Sequence, residues 1–205
     1  MSAQPHNQGT APVELERATL EGRNKILGFW LFLGAETVLF GTLFATFIAL
    51  RHQVLDGPAP NELFDLGLVA VSTLVLLTSS LFSVMAIQAM HRHEVGKMQF
   101  WLLLTVLFGL IFLGMELYEF NHYTHMGHEF STSAFSSAFY TLVGFHGAHV
   151  IFGVCWISLL VAQIIKKGLT EITAPKVYVA SLYWHFIDVV WVFIFSVVYL
   201  MGKVG

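Results

Sequence analysis

The sequence predicts an all-α integral membrane bundle of five transmembrane helices, and three observations carry that prediction. Of 205 residues, 56% are hydrophobic and only 11% are charged, whereas soluble domains carry about 25% charged residues. Five apolar runs make up most of the chain, and each exceeds the roughly 20 residues needed to cross hydrocarbon. None of these runs shows the alternation of a membrane barrel strand. Lipid offers no partner to backbone amides, so each run must be helical.

Residues 1–25 form a polar tail containing Pro5, Gly9 and Pro12, with charges at Glu14, Glu16, Arg17, Glu21, Arg23 and Lys25. No basic segment followed by a short apolar stretch opens the chain, so no cleavable secretory signal is expected. The tail is predicted to be frayed, with one helical turn around Val13 to Leu20.

Residues 26–205 form one membrane domain. The predicted spans are 26–50 with the single charge Glu36, 66–90 with none, and 98–120 with Glu116 and Glu119 near its end. Residues 134–165 carry no formal charge, and this run overshoots the bilayer or begins outside it. The last span, 177–202, carries one charge, Asp188. Between them, Asp56–Pro60 reads as a turn cluster and Asn61 as an N-cap. Gly96 marks a tight turn, and Gly168 and Pro175 stop one helix and restrict the next.

Orientation follows from the basic residues. With five spans, the N-terminus shares a side with Arg17, Arg23, Lys25, Arg92, Lys97, Lys166, Lys167 and Lys176; the other side holds only Arg51 and Lys203. Positive charge stays on the cytoplasmic side, so the expectation is N-in/C-out. Trp30, Trp101, Tyr123 and Tyr199 read as interfacial belt residues.

The net charge of −3 provides no basic face for nucleic acid. The one cysteine, Cys155, excludes a disulfide framework and reads as a small buried hydrophobe.

The intramembrane polar residues are the candidate site. Glu36 lies about 15 Å into its helix at 1.5 Å per residue, near the midplane, where a carboxyl is expected to be neutral and to face the bundle or water. It is the proton- or lipid-associated candidate. Glu116 and Glu119, His146 and His149, and His185 and Asp188 each sit one turn apart on the third, fourth and fifth helices.

Glu and His at that spacing build di-iron centres in bundles, and they equally make hydrogen bonds between helices. Glu116 lies in the outer part of its span and His185 nearer the inner half, so the three pairs are read as interhelical ties and no metal site is expected. Gly144 and Gly147 would let the fourth helix approach a neighbour closely. His122, His125 and His128 with Glu129 read as solvent-exposed. No catalytic residue is assigned.

The stretches Gly28–Phe40, Glu116–Phe120, Gly144–Val150 and Ser181–Leu200 together resemble subunit III of haem–copper terminal oxidases. The resemblance runs from about Leu20 to the C-terminus, with four motifs in the family's order. It is strongest to the short bacterial form found with cytochrome c oxidases of Gram-positive bacilli; quinol oxidases have a similar subunit.

The resemblance implies a multi-pass subunit of a proton-pumping oxygen-reducing translocase in the bacterial plasma membrane. Haem and copper would reside in partner subunits, with none in this chain. Subunit I would be the main contact, with subunit II, a small subunit IV and bound phospholipid around it. In the family the subunit surrounds a lipid-filled cleft, sustains proton uptake, protects the complex during turnover and borders an oxygen route. Glu36 falls on the family's carbodiimide-reactive carboxyl, and the other six residues fall on recurrent polar positions. The first two helices of the mitochondrial form are missing, so contacts that depend on them do not transfer. A small transporter or proton channel would also explain Glu36 and Asp188 but should show inverted repeats or broken helices. A membrane metalloenzyme would need ligands at one level.

Overall fold

The structure, a computed structural model, describes residues 15–53, 66–125 and 130–204, and all regular secondary structure among them is helical. Five helices are long and apolar enough to cross a membrane: α1 Leu20–Leu50, α2 Leu66–His91, α3 Val95–His125, α4 Ala134–Lys167 and α5 Ala174–Ile194. Helix α5 continues through a π-helical turn, Phe195–Leu200, into a last α-helical turn, Met201–Val204. Leu27, Leu31, Val38, Leu74, Leu103 and Leu159 point outward and are exposed, as hydrocarbon solvent permits. This is a multi-pass membrane protein.

The helices outrun the apolar runs because polar capping groups complete them. Helix α1 starts six residues before the apolar run, where Thr19 Oγ1 accepts the Gly22 amide at 3.0 Å. Ser133 Oγ does the same for Ser136 at 3.1 Å at the start of α4. These caps satisfy amides that have no intrahelical partner.

The turn between α2 and α3 is made by His93, not Gly96. His93 adopts φ 58°, and the amides of His93 and Glu94 return to the carbonyls of Met90 and Ala89, which is a Schellman ending. Gly96 lies in the first turn of α3. Gly168, at φ 72°, ends α4 as its sequence implies.

The helical turn expected around Val13 to Leu20 is present among the described residues, but it is docked on the bundle and not frayed. Leu15–Arg17 forms a 3-10 turn that buries Glu16 completely. Glu16 Oε1 meets His91 Nε2 at 2.9 Å, pinning the turn to the end of α2. Pro5, Gly9, Pro12, the turn Asp56–Pro60, Asn61, His128 and Glu129 lie outside the described residues.

Helices α4 and α5 form the centre. Helix α1 packs on α4 and α5, while α2 packs on α3 and α5, and α3 also packs on α4. Trp184 of α5 is the plug, only 1% exposed. A Cβ at Gly109 on α3 would stand 2.6 Å from its Cη2, and one at Gly153 on α4 would stand 2.9 Å from its Cζ3. Two glycines thus let backbone meet an indole ring, and the indole nitrogen donates to Ser79 Oγ of α2 at 2.9 Å. One side chain joins four helices.

Three assignments from sequence change. Tyr123 and Tyr199 are buried in the core and are not belt residues. Tyr199, in the π-helical turn, packs on Phe139 and Trp191. Cys155 is exposed: it falls on the face of α4 turned away from its neighbours. Gly144 has open space around it, so the close approach is made at Gly147.

Candidate functional site: polar contacts within the bundle

The buried seam of α1 runs through Leu33, Phe40 and Phe47. Glu36 sits at the edge of that seam, facing α4. There His149 Nε2 lies 3.1 Å from Glu36 Oε2. His149 Nδ1 lies 2.7 Å from the Phe145 carbonyl one turn back. The two side chains are 15% and 18% exposed, the Phe40 ring lies 5.0 Å from the imidazole, and Tyr183 O–H donates to the His149 carbonyl at 3.2 Å.

His146 is fully buried. Its Nε2 faces the Ile187 carbonyl of α5 at 3.3 Å, and its ring packs on Trp191 and Phe112. Glu116 is buried against Gly147 of α4, where a Cβ would come within 2.8 Å of Oε2 and 2.9 Å of Oε1. Glu119, also buried, accepts the Tyr123 hydroxyl within α3.

His185 bonds through Nδ1 to Ser80 Oγ of α2 at 2.6 Å and through Nε2 to Ser181 Oγ at 3.4 Å. Ser181 continues to Ser83 of α2 at 2.8 Å. Asp188 is buried, and neither of its oxygens has a hydrogen-bond partner among the described residues. Ser80 stands near it but its hydroxyl is aligned with His185.

The structure therefore brings Glu36 to His149, seats His146 on the α5 backbone and ties His185 to α2. It does not bring the six recurrent positions to one point. Asp188 lies buried on the side of α5 that meets Ser80 of α2. Among the described residues no three His, Cys, Asp or Glu side chains stand close enough to hold a metal ion.

The seam between α2 and α5 is polar along most of its length, and reading by charge overlooks it. Trp191 Nε1 donates to Thr73 Oγ1 at 3.0 Å, in line with the Trp184–Ser79, His185–Ser80 and Ser181–Ser83 contacts. The available signal is the hydroxyl residues Thr73, Ser79, Ser80 and Ser83 within one apolar run, and Trp184 and Trp191 within another. Small residues and interhelical hydrogen bonds supply the association that lipid does not.

Such a bundle, with five apolar helices joined by buried polar contacts, is a helical integral membrane protein. The chain belongs to the cytochrome c oxidase subunit III family, whose model matches residues 17–203. It is 62% identical over 197 residues to "Cytochrome c oxidase subunit 3" of Bacillus subtilis (strain 168), covering 96% of this chain and 95% of that one. Identity to the protein of the same name from Alkalihalophilus pseudofirmus is 58% over 195 residues, covering 95% of each chain. "Quinol oxidase subunit 3" of Bacillus subtilis is similar at 48% over 200 residues, 98% of this chain and 97% of that one.

Proposed function

We propose that this chain is the subunit III of a proton-pumping terminal oxidase that takes electrons from cytochrome c, lying in a bacterial plasma membrane with its N-terminus inside. The observation that carries the reading is end-to-end similarity: 62% identity over 96% of the chain to a subunit named for a cytochrome c oxidase, against 48% for one named for a quinol oxidase. The excess of Lys and Arg on the N-terminal side supports the orientation. Haem and copper belong to subunits I and II in this reading. Subunit I is the main neighbour, a small subunit IV and phospholipid complete the surroundings, and this chain supports assembly and sustained proton uptake.

His146, His149 and His185 hold helices in place, Glu116, Glu119 and Asp188 line the same interior, and Glu36 is the proton- or lipid-associated carboxyl. Affinity purification of the tagged chain from mild detergent tests the reading. A haem-bearing large subunit together with c-type haem or cytochrome c oxidation is the expected result. Haem with quinol oxidation alone would favour the quinol enzyme, and recovery without any haem protein would overturn both.

A further inference from the structure

The contact between α1 and α4 specifies where its protons lie. His149 Nδ1 faces the Phe145 carbonyl at 2.7 Å, and a carbonyl only accepts, so Nδ1 bears a hydrogen. In the neutral ring Nε2 then holds a lone pair. Opposite it, at 3.1 Å, stands Glu36 Oε2. A carboxylate there would set lone pair against lone pair, so one proton must occupy the line between the two atoms.

Two placements of that proton exist: a carboxylic acid donating to imidazole, or imidazolium donating to carboxylate. The second separates charge on a surface facing hydrocarbon, with the two side chains 15% and 18% exposed, where each charge costs several kcal/mol on some scales. Among the described residues no other group offsets the charge. Tyr183 of α5 spends its hydroxyl on the His149 carbonyl, His146 of α4 faces α5, and neither Lys nor Arg pairs with Glu36 among the described residues.

We propose that Glu36 and His149 form a dyad holding one exchangeable proton, carried on Glu36 Oε2 and hydrogen-bonded to His149 Nε2, with His149 as the positioning residue. The rest of the geometry keeps that arrangement in place. The Phe145 carbonyl fixes the tautomer, the Phe40 ring lies against the imidazole, and Tyr183 anchors the backbone of the same turn. The inference stands on the membrane placement of α1 and α4, not on the electron donor of any oxidase.

The test is spectroscopic, on the purified complex in nanodiscs. Infrared difference spectra between wild type and Glu36→Gln should contain a carboxylic-acid C=O band that is lost in the variant. In His149→Leu that band should move to higher frequency, because the acid proton has lost its acceptor. Nitrogen-15 spectra of histidine-labelled wild type should show one ring with Nδ1 protonated and Nε2 an unprotonated acceptor, the resonance removed in His149→Gln.

Two protonated nitrogens on His149, the absence of a Glu36-dependent acid band, or a band unmoved in His149→Leu would each overturn the dyad. If His149→Leu fails to assemble, the wild-type nitrogen spectrum decides alone. Haem content is read separately, so failure of the oxidase reading is distinguishable from failure of the dyad.

Discussion

Substituting Gly109 by Ala is the sharpest available test of the core. The added Cβ would stand 2.6 Å from Trp184 Cη2, 3.0 Å from its Cζ2 and 3.0 Å from Val154 Cγ2. The indole cannot swing aside without losing its bond to Ser79, and Gly153 holds its other edge. Overpacking of this kind costs about 1–3 kcal/mol, while Ala in a helix interior recovers roughly 0.5–1 kcal/mol relative to Gly. The net expectation is a loss of up to roughly 2.5 kcal/mol. Gly144→Ala, with open space around it, keeps only the gain and serves as control. Trp184→Phe removes the atoms that clash, so Gly109→Ala should cost less in that background, giving a coupling within the roughly 0.5–3 kcal/mol seen for touching residues. Unfolding midpoints in mixed micelles measure all four chains. Equal stability of Gly109→Ala and Gly144→Ala, or zero coupling with Trp184→Phe, would refute the account of Trp184 as a plug seated on glycine.

Other outcomes follow from the same contacts. Single cysteines placed at Lys167 and at His125, in a chain with Cys155 replaced, should be labelled from opposite sides of the membrane; labelling from one side would reject the N-in/C-out arrangement. His185→Ala should loosen the subunit in detergent by about 0.6–2 kcal/mol through loss of its serine partners. Asp188→Asn should change stability little because no partner is left behind, and the reverse order of the two would show that the α2–α5 seam is misread. Glu36→Gln should preserve assembly, oxygen reduction and most proton pumping while abolishing carbodiimide labelling of this subunit. Protons ejected per electron in vesicles measure this, and a ratio fallen to that of scalar chemistry alone would make Glu36 an obligatory relay.

Helix number and the approximate extents were legible because hydrocarbon imposes a length and a composition that stand out along the chain. The exact ends were not, since α1 begins at a threonine cap and α3 runs on to His125, where polar side chains continue the helix into water. The Trp184 plug was hidden for another reason. Gly109 and Gly153 look like any glycines in an apolar run, and only the crossing of three helices shows what they make room for. Ionisable residues were easy to single out, but their partners were not. His149 and Glu36 are 113 positions apart, and helical spacing says which face a residue shares, not which helix that face meets. His146 shows the same limit: residue type suggested a tie between side chains, and its contact on α5 is the Ile187 backbone carbonyl.

The two polar seams of the bundle are built differently, and the difference bears on what Glu36 is for. Between α2 and α5, hydroxyls and indoles with one histidine join the helices in the interior, and nothing there requires a charge to be lost or gained. Helix α1 has no such ladder. Aromatic contacts hold it through Phe29 on Tyr183 and Trp156, and through Phe40 on Phe186. Among the described residues, its one side-chain hydrogen bond to another long helix is Glu36 to His149. Association alone would be served by a serine or a glutamine, neither of which sets an ionisable group at the lipid face. Glutamine can donate its amide to the same Nε2 lone pair, so it keeps the tie and loses only the exchangeable proton. Any change in turnover lifetime or proton uptake between wild type and Glu36→Gln, at equal stability, therefore measures what the proton itself contributes.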